Sequence, residues 1–235
     1  MQNIGYEDEG MDRIIYHGSQ QRIKTPIWGV GKKYNDYGLG FYCTEDITLA
    51  KEWAVDDGIN GYANRYLIHE DGLNIIYLNG KDFTPLHWIE LLLHNRTFDL
   101  TSSLSREAAE YLHSSFHTDI SKADVIVGYR ADDSYFTYAQ EFLNGTISVK
   151  QLSEAMRYGN LGLQYVLKSK KAFSALIDNG YEVALSDEWF SKKQKRDSDA
   201  RRQYLQMNRE GFVRGNLYMV QILDEEVKAD DARLR

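Results

Sequence analysis

Apolar and polar positions along this chain switch between a two-residue and a 3.6-residue rhythm, and the switches mark out its elements. Residues 13–16, RIIY, read as a short strand ending at Gly18. Residues 20–38 contain Pro26, Gly29, Gly31 and Gly38 and read as a loop able to lie over a ligand. A second strand at 40–44 precedes a change of period: Ile47, Ala50, Trp53 and Ala54 share one helical face, with Thr44 or Asp46 as cap. The stretch RYLIHEDGLNIIYLNG reads as two strands about an Asp71–Gly72 turn. Helices follow at 85–94, where Pro85 starts a stripe of Leu86, Ile89, Leu92 and Leu93, and at 105–117. ADVIVGY reads as an internal strand, SYFTYAQEFLNG as a helix ended by Gly145, and Ser148 as the cap of a helix to 157. LQYVLKS is a strand, and KKAFSALIDNG a short helix stopped by Asn179 and Gly180. Beyond Asp187 one long polar helix runs to 208, before a last strand, NLYMVQIL.

Strands grouped around a few helices, without regular βαβ repeats, predict an α+β fold. The shift in composition divides the chain into a domain at 10–187 and a basic helical extension with a final strand at 188–235. With 235 residues, 43% of them apolar, the chain can build a core without metals or crosslinks. Its single cysteine, Cys43, cannot form an internal disulfide, which suits a reducing cytosol. The acidic start, MQNIGYEDEG, has no apolar export segment, and no run of apolar residues is long enough to span a membrane, so a cytoplasmic location is expected. A net charge of −7 argues against a nonspecific polyanion binder. Residues 192–202, however, carry six basic and two acidic side chains, a local +4 that leaves the remainder at −11. This run is either a solvated helix face or a docking patch for nucleic acid or an acidic partner.

Two stretches carry candidate chemistry. In YHGS, His17 ends an apolar strand, where a histidine is often structural, but Gly18 lets a ligand approach the backbone and Ser19 adds a hydroxyl. In DYGLGFYCTEDITLAKEW, Gly38 and Gly40 flank Tyr42, and Trp53 lies eleven residues further on. Tyr42 and Trp53 are either a strand-helix core pair or a stacking clamp, which would hold a pyridinium cation with about 0.5–2 kcal/mol of cation–π attraction. His113 and His117 have an i, i+4 spacing, but neither a zincin glutamate nor a cysteine accompanies them, so no metal is expected. GVGKK lacks the spacing of a phosphate loop.

Together, YHGS and GLGFYCTEDITLAKEW resemble the first two signature segments of the ADP-ribosyltransferase superfamily, in its His-Tyr-Glu, diphtheria-toxin-like and poly-ADP-ribose-polymerase-like branch. DYGLGFYCTEDITLAKEWA, VIVGYRADDSYF and QYVLKSKKAF are further similar to a bacterial family of unassigned function thought to hold toxin-like ADP-ribosyltransferases, a match over roughly residues 12–177. The resemblance implies a split, mixed and antiparallel sheet flanked by helices, with NAD as co-substrate. It implies that His17 bonds the adenosine ribose, that the Gly18 backbone grips the nicotinamide carboxamide with Ser19 nearby, and that Tyr42 and Trp53 sandwich the nicotinamide ring. It also implies transfer of ADP-ribose to an intracellular protein or nucleic acid with release of nicotinamide, and an antitoxin as partner. The family's third segment opens with a catalytic glutamate, where this chain presents Gln164 after Leu163. Asp132, Asp133 and Glu141 are the carboxylates that could substitute, Asp133 being also a candidate cofactor contact; the blander readings are helix capping for the aspartates and an exposed helix position for Glu141. The departure leaves an impaired NAD- or ADP-ribose-binding pseudoenzyme, or an NAD glycohydrolase, as alternatives.

Overall fold

A computed structural model describes residues 12–131, 133–157, 162–209 and 211–234. The fold is α+β, built on two sheets. The first is antiparallel, in the order β1 (Asp12–Ser19), β3 (Gly61–His69), β7 (Leu176–Ala184). The second is mixed, in the order β2 (Phe41–Cys43), β6 (Leu163–Leu167), β5 (Val125–Tyr129), β4 (Ile75–Tyr77), with β4 parallel to β5. Among the described residues a single antiparallel bridge joins them: the Tyr16 N–H donates to the Thr44 carbonyl at 2.7 Å, and the Thr44 N–H to the Tyr16 carbonyl at 2.9 Å. Beyond this bridge β1 and β2 diverge, and a cleft opens between the sheets.

Alternation along the second sheet divides its side chains between two cores. Phe41, Cys43, Val125, Val127, Tyr165 and Leu167 point toward Ile15, Tyr66 and Ile68 of the first sheet. Tyr42, Ile126 and Val166 point the other way, into a larger core filled by helices. Those helices are α2 (Pro85–Asn95), α3 (Ser103–Ser115), α4 (Asp133–Leu143) and α5 (Val149–Ala155), with two from the C-terminal part, α7 (Ser186–Asn208) and α8 (Met219–Asp224). Packed on the first sheet, α1 (Ile47–Ala54) begins at Asp46, whose carboxylate accepts from the Thr48 N–H at 2.7 Å. It packs so closely on β1 that a Cβ at Gly18 would lie 2.1 Å from the Ala50 carbonyl oxygen.

Three expectations need correction. The two runs about Asp71–Gly72 are not a hairpin: β3 pairs with β1 and β7, while β4 crosses to the second sheet, where the Asn74 N–H donates to Asp124 at 2.9 Å. Asn179 and Gly180 do not stop a helix. Helix α6 (Lys170–Ser174) ends earlier, and the pair forms a bulge within β7, which Gly180 accommodates at φ +94°. Finally, the last strand is absent: NLYMVQIL turns helical from Met219, where the Tyr218 N–H donates to Gln221 at 3.1 Å, and Met219 and Ile222, three apart, are buried on one face. The basic segment is helical as expected. Trp189 anchors α7 beside Ala54, Val55 and Ala184, and Tyr204 anchors it by stacking on Tyr138 at 3.8 Å. The C-terminal residues Met207, Leu217, Met219 and Ile222 share the core of α2–α5.

Candidate functional site

The cleft at the split holds about 1190 Å³ and is lined by the end of β1, the 21–36 loop, β2, α1, the start of β6 and one face of α7. His17, Gly18, Tyr42, Trp53 and Gln164 all line it.

Each is placed by local geometry. Residues two apart on a strand project their backbone groups to the same side. Tyr16 spends its pair on Thr44, so the N–H and C=O of Gly18 project past that bridge, along the open edge. The Gly18 hydrogen atom also leaves room for Ala50 and for Trp53 Cβ, 2.8 Å from where its own Cβ would sit, so the residue is a packing requirement as well as a point of ligand access. His17 Nδ1 lies 2.7 Å from the Tyr42 carbonyl; because a carbonyl only accepts, Nδ1 carries the proton and Nε2 is the acceptor. Burial lowers the His17 pKa, with the Tyr42 bond opposing, so the ring is neutral at pH 7. The ring stacks on Phe41 at 4.2 Å.

Tyr42 is held by its hydroxyl, which donates to the Gly38 carbonyl at 2.6 Å and accepts from the Tyr37 N–H at 3.1 Å. Gly38 sits at φ +72°, the conformation this turn requires. Tyr42 pairs with Val166, so Gln164, two residues along β6, projects from the same face. Trp53 approaches from α1, and the Arg130 guanidinium rests 4.3 Å from its ring centroid. A planar cation therefore already occupies a face of this indole.

Beside Gln164 lies a carboxylate that the sequence did not single out. Asp36, 4% exposed, accepts from Gln164 Nε2 at 3.1 Å, from Arg96 at 2.9 Å and from the Ala131 N–H at 2.8 Å. Burial raises its pKa, and those three partners pull it back. Asn35 and Asp36 read as turn residues before Gly38, and the Gly38 N–H does bond the Asn35 carbonyl at 2.9 Å, so the local signal described the turn and concealed the contact to β6. Arg96, at the end of α2, was equally invisible: it reaches Asp36 from 60 residues away.

The cleft is cationic. Eight basic and two acidic side chains line it, in a chain of net charge −7, so it suits an anionic ligand. Lys193, Arg196 and Arg201, all within the basic run, fall on one face of α7 and form a wall of the cleft. Arg196 is fixed there by Glu52 of α1 at 2.6 Å.

Three expected residues stand elsewhere or outside description. Ser19 is not among the lining residues; its hydroxyl accepts from the Gln21 N–H at 3.1 Å, closing a local turn. Glu141 lies on α4 outside the cleft, with one carboxylate oxygen buried and unpartnered and its pKa raised by burial; it is not the exposed position its spacing suggested. Asp133 opens α4, and Asp132 lies outside the described residues. Among the described residues no helix is long and apolar enough to cross a membrane.

No curated protein and no solved structure matches the chain. A family model described as a protein of unknown function, DUF3990, matches residues 13–177, a span that holds His17, Gly18, Asp36, Tyr42, Trp53 and Gln164. On that match the chain belongs to the DUF3990 family.

Proposed function

We propose that this cleft binds NAD and that the chain transfers ADP-ribose from it to an intracellular macromolecule, as a toxin-like enzyme. The observation that carries the reading is the convergence of His17, the free backbone edge of Gly18, Tyr42, Trp53 and Gln164 on one cationic cleft.

NAD offers a pyrophosphate to the arginines and lysines, a planar carboxamide to the N–H and C=O of Gly18, and a flat pyridinium to the two aromatic rings. Neutral His17 offers Nε2 to a ribose hydroxyl. Gln164, whose amide nitrogen is committed to Asp36, offers its carbonyl oxygen to the other ribose. In the reaction the bond between nicotinamide nitrogen and ribose C1′ breaks. Nicotinamide leaves with the electron pair and becomes neutral, the positive charge passes to the ribose, and an acceptor nucleophile bonds C1′ and gives up its proton. Negative potential near the ribose speeds this step. Asp36 supplies it from beneath Gln164 as a positioning residue, weakened by Arg96. The loop beside the cleft, with Ile27 70% and Tyr34 78% exposed, is a surface for the acceptor.

The Arg96–Asp36 pair also favours a second reading, an NAD-binding protein with little or no turnover, since a glutamine cannot itself offset developing positive charge. Loss of one such electrostatic contact costs roughly 3 kcal/mol, about 10²–10³ in rate.

Titration calorimetry with NAD tests the binding step: wild-type protein should bind, His17→Ala and Trp53→Ala should bind at least about tenfold more weakly, and equal affinity would end the proposal. Incubating labelled NAD with cell lysate tests the chemistry. Label on a macromolecule supports transfer, free ADP-ribose an NAD glycohydrolase, and intact NAD the binding protein.

A further inference from the structure

Away from the cleft, α2 and α3 bring together two exposed imidazoles and one buried carboxylate. Glu90 lies in the middle of α2, 1% exposed, between Ile89 and Leu91. Its Oε1 lies 3.2 Å from Nδ1 of His113, in the last turn of α3, and 3.1 Å from Nδ1 of His117, just beyond that helix. Its Oε2 is buried with no partner. Among the described residues the two histidines are its only ion-pair partners. The three donor atoms lie within 4.8 Å of one another.

We propose that Glu90, His113 and His117 bind a divalent transition ion of the zinc class. Three physical facts converge on this. First, a carboxylate in an apolar helix face is expensive unless a positive group faces it, and among the described residues neither lysine nor arginine pairs with it. Second, two solvent-facing histidines both turn Nδ1 toward a single carboxylate oxygen, a convergence that costs side-chain freedom and that one ion would reward. Third, the separations fit. Metal–nitrogen and metal–oxygen bonds of about 2.0–2.2 Å at a tetrahedral angle set donors about 3.3–3.6 Å apart; the carboxylate oxygen lies 3.1 and 3.2 Å from the two nitrogens, and all three donors lie within 4.8 Å of one another, so a small rotamer adjustment admits the ion.

Two imidazoles with one carboxylate select zinc, cobalt or nickel over magnesium or calcium, which prefer oxygen donors. The histidine side chains are 67% and 53% exposed, so the ion enters from solvent and water completes its shell. Sequence spacing argued against a metal because His113 and His117 showed no third donor. Packing supplies it from 23 residues upstream of His113. The ion would clamp α3 onto α2, the helix whose Arg96 and Asn95 hold Asp36 and its backbone. The inference stands apart from the NAD reading.

The test uses the full chain, free of any affinity tag and treated with chelator, and measures thermal unfolding and titration heat with zinc chloride, with magnesium chloride as control. One zinc per chain should bind, and zinc at about a hundredfold over its Kd should raise Tm by about 5–10 °C, while magnesium does nothing. Cobalt should give the intense visible absorption of a four-coordinate site. His113→Ala and His117→Ala, made singly, each leave Glu90 facing the other imidazole, and each should remove the zinc-dependent shift. Absence of zinc binding in the wild type, or binding that survives the double variant, would overturn the proposal.

Discussion

Placing a glutamate at residue 164, where the resemblance to ADP-ribosyltransferases implies one, is the obvious experiment, and the structure predicts that it fails at first. In Gln164→Glu, an amide nitrogen that donates to Asp36 at 3.1 Å becomes a second carboxylate oxygen. Two unit charges 3.1 Å apart repel by roughly 5 kcal/mol at an effective dielectric of about 20. Arg96, 2.9 Å from the other Asp36 oxygen, offsets a share of this. If about half survives, the pair keeps a proton and one carboxyl titrates well above the usual range. A raised folded-state pKa adds stability that is complete below the unfolded value, about 4.3, and is lost as pH rises toward the folded value. Melting curves against pH read this directly. The variant should match the wild type near pH 4 and melt about 5–10 °C lower at pH 8, at 2–4 °C per kcal/mol for a chain of this size. Nicotinamide release by the variant should climb with pH as the shared proton leaves, and Gln164→Glu with Asp36→Asn should remove both effects. A single variant with an unchanged Tm from pH 4 to 8 would refute the reasoning, because it would mean that Asp36 does not feel residue 164.

Gly18→Ala drives a methyl to 2.1 Å from a backbone oxygen and 2.8 Å from Trp53 Cβ, so it should cost about 1–3 kcal/mol in denaturant titrations and disturb Trp53 fluorescence. Tyr42→Phe strands the Tyr37 N–H and the Gly38 carbonyl while keeping the ring. It should cost about 1–3 kcal/mol of stability yet retain NAD binding, whereas Tyr42→Ala loses both. His17 and His87 both have pKa values lowered by burial, so below about pH 6.5 the unfolded chain takes up protons that the folded chain refuses. Stability should therefore fall as pH drops from 6.5, and His17→Gln should flatten part of that slope. Arg196→Ala leaves Glu52 buried without its partner and should cost about 3–5 kcal/mol, measured by chemical denaturation.

What the sequence made legible was local. The register of His17, Gly18, Tyr42 and Trp53 could be read because each sits on an element whose period is plain, and the fold needs only two strands and one helix to bring them together. Asp36 was hidden because its partners, Gln164, Arg96 and the Ala131 N–H, are 60 to 128 residues distant. The same limit explains the false hairpin, since the turn after β3 is real but strand partners are chosen by the whole sheet. The end of α6 was misread and β7 was missed because glycine at positive φ serves a bulge as readily as a stop. The C-terminal helix α8 was misread because the apolar run of Leu217, Tyr218, Met219, Val220, Ile222 and Leu223 is too continuous to show a period.

Helix α7 has a practical consequence for anyone trimming the gene. The DUF3990 match ends at residue 177, inside β7, while the basic wall of the cleft begins at Lys193. A fragment cut at the family limit would strip most of the outer strand from β3, leaving a raw sheet margin prone to sticking to its neighbours, and would remove Lys193, Arg196 and Arg201 from the anion's path. Inactivity of such a fragment would report on the cut and leave the chemistry of the intact chain unjudged.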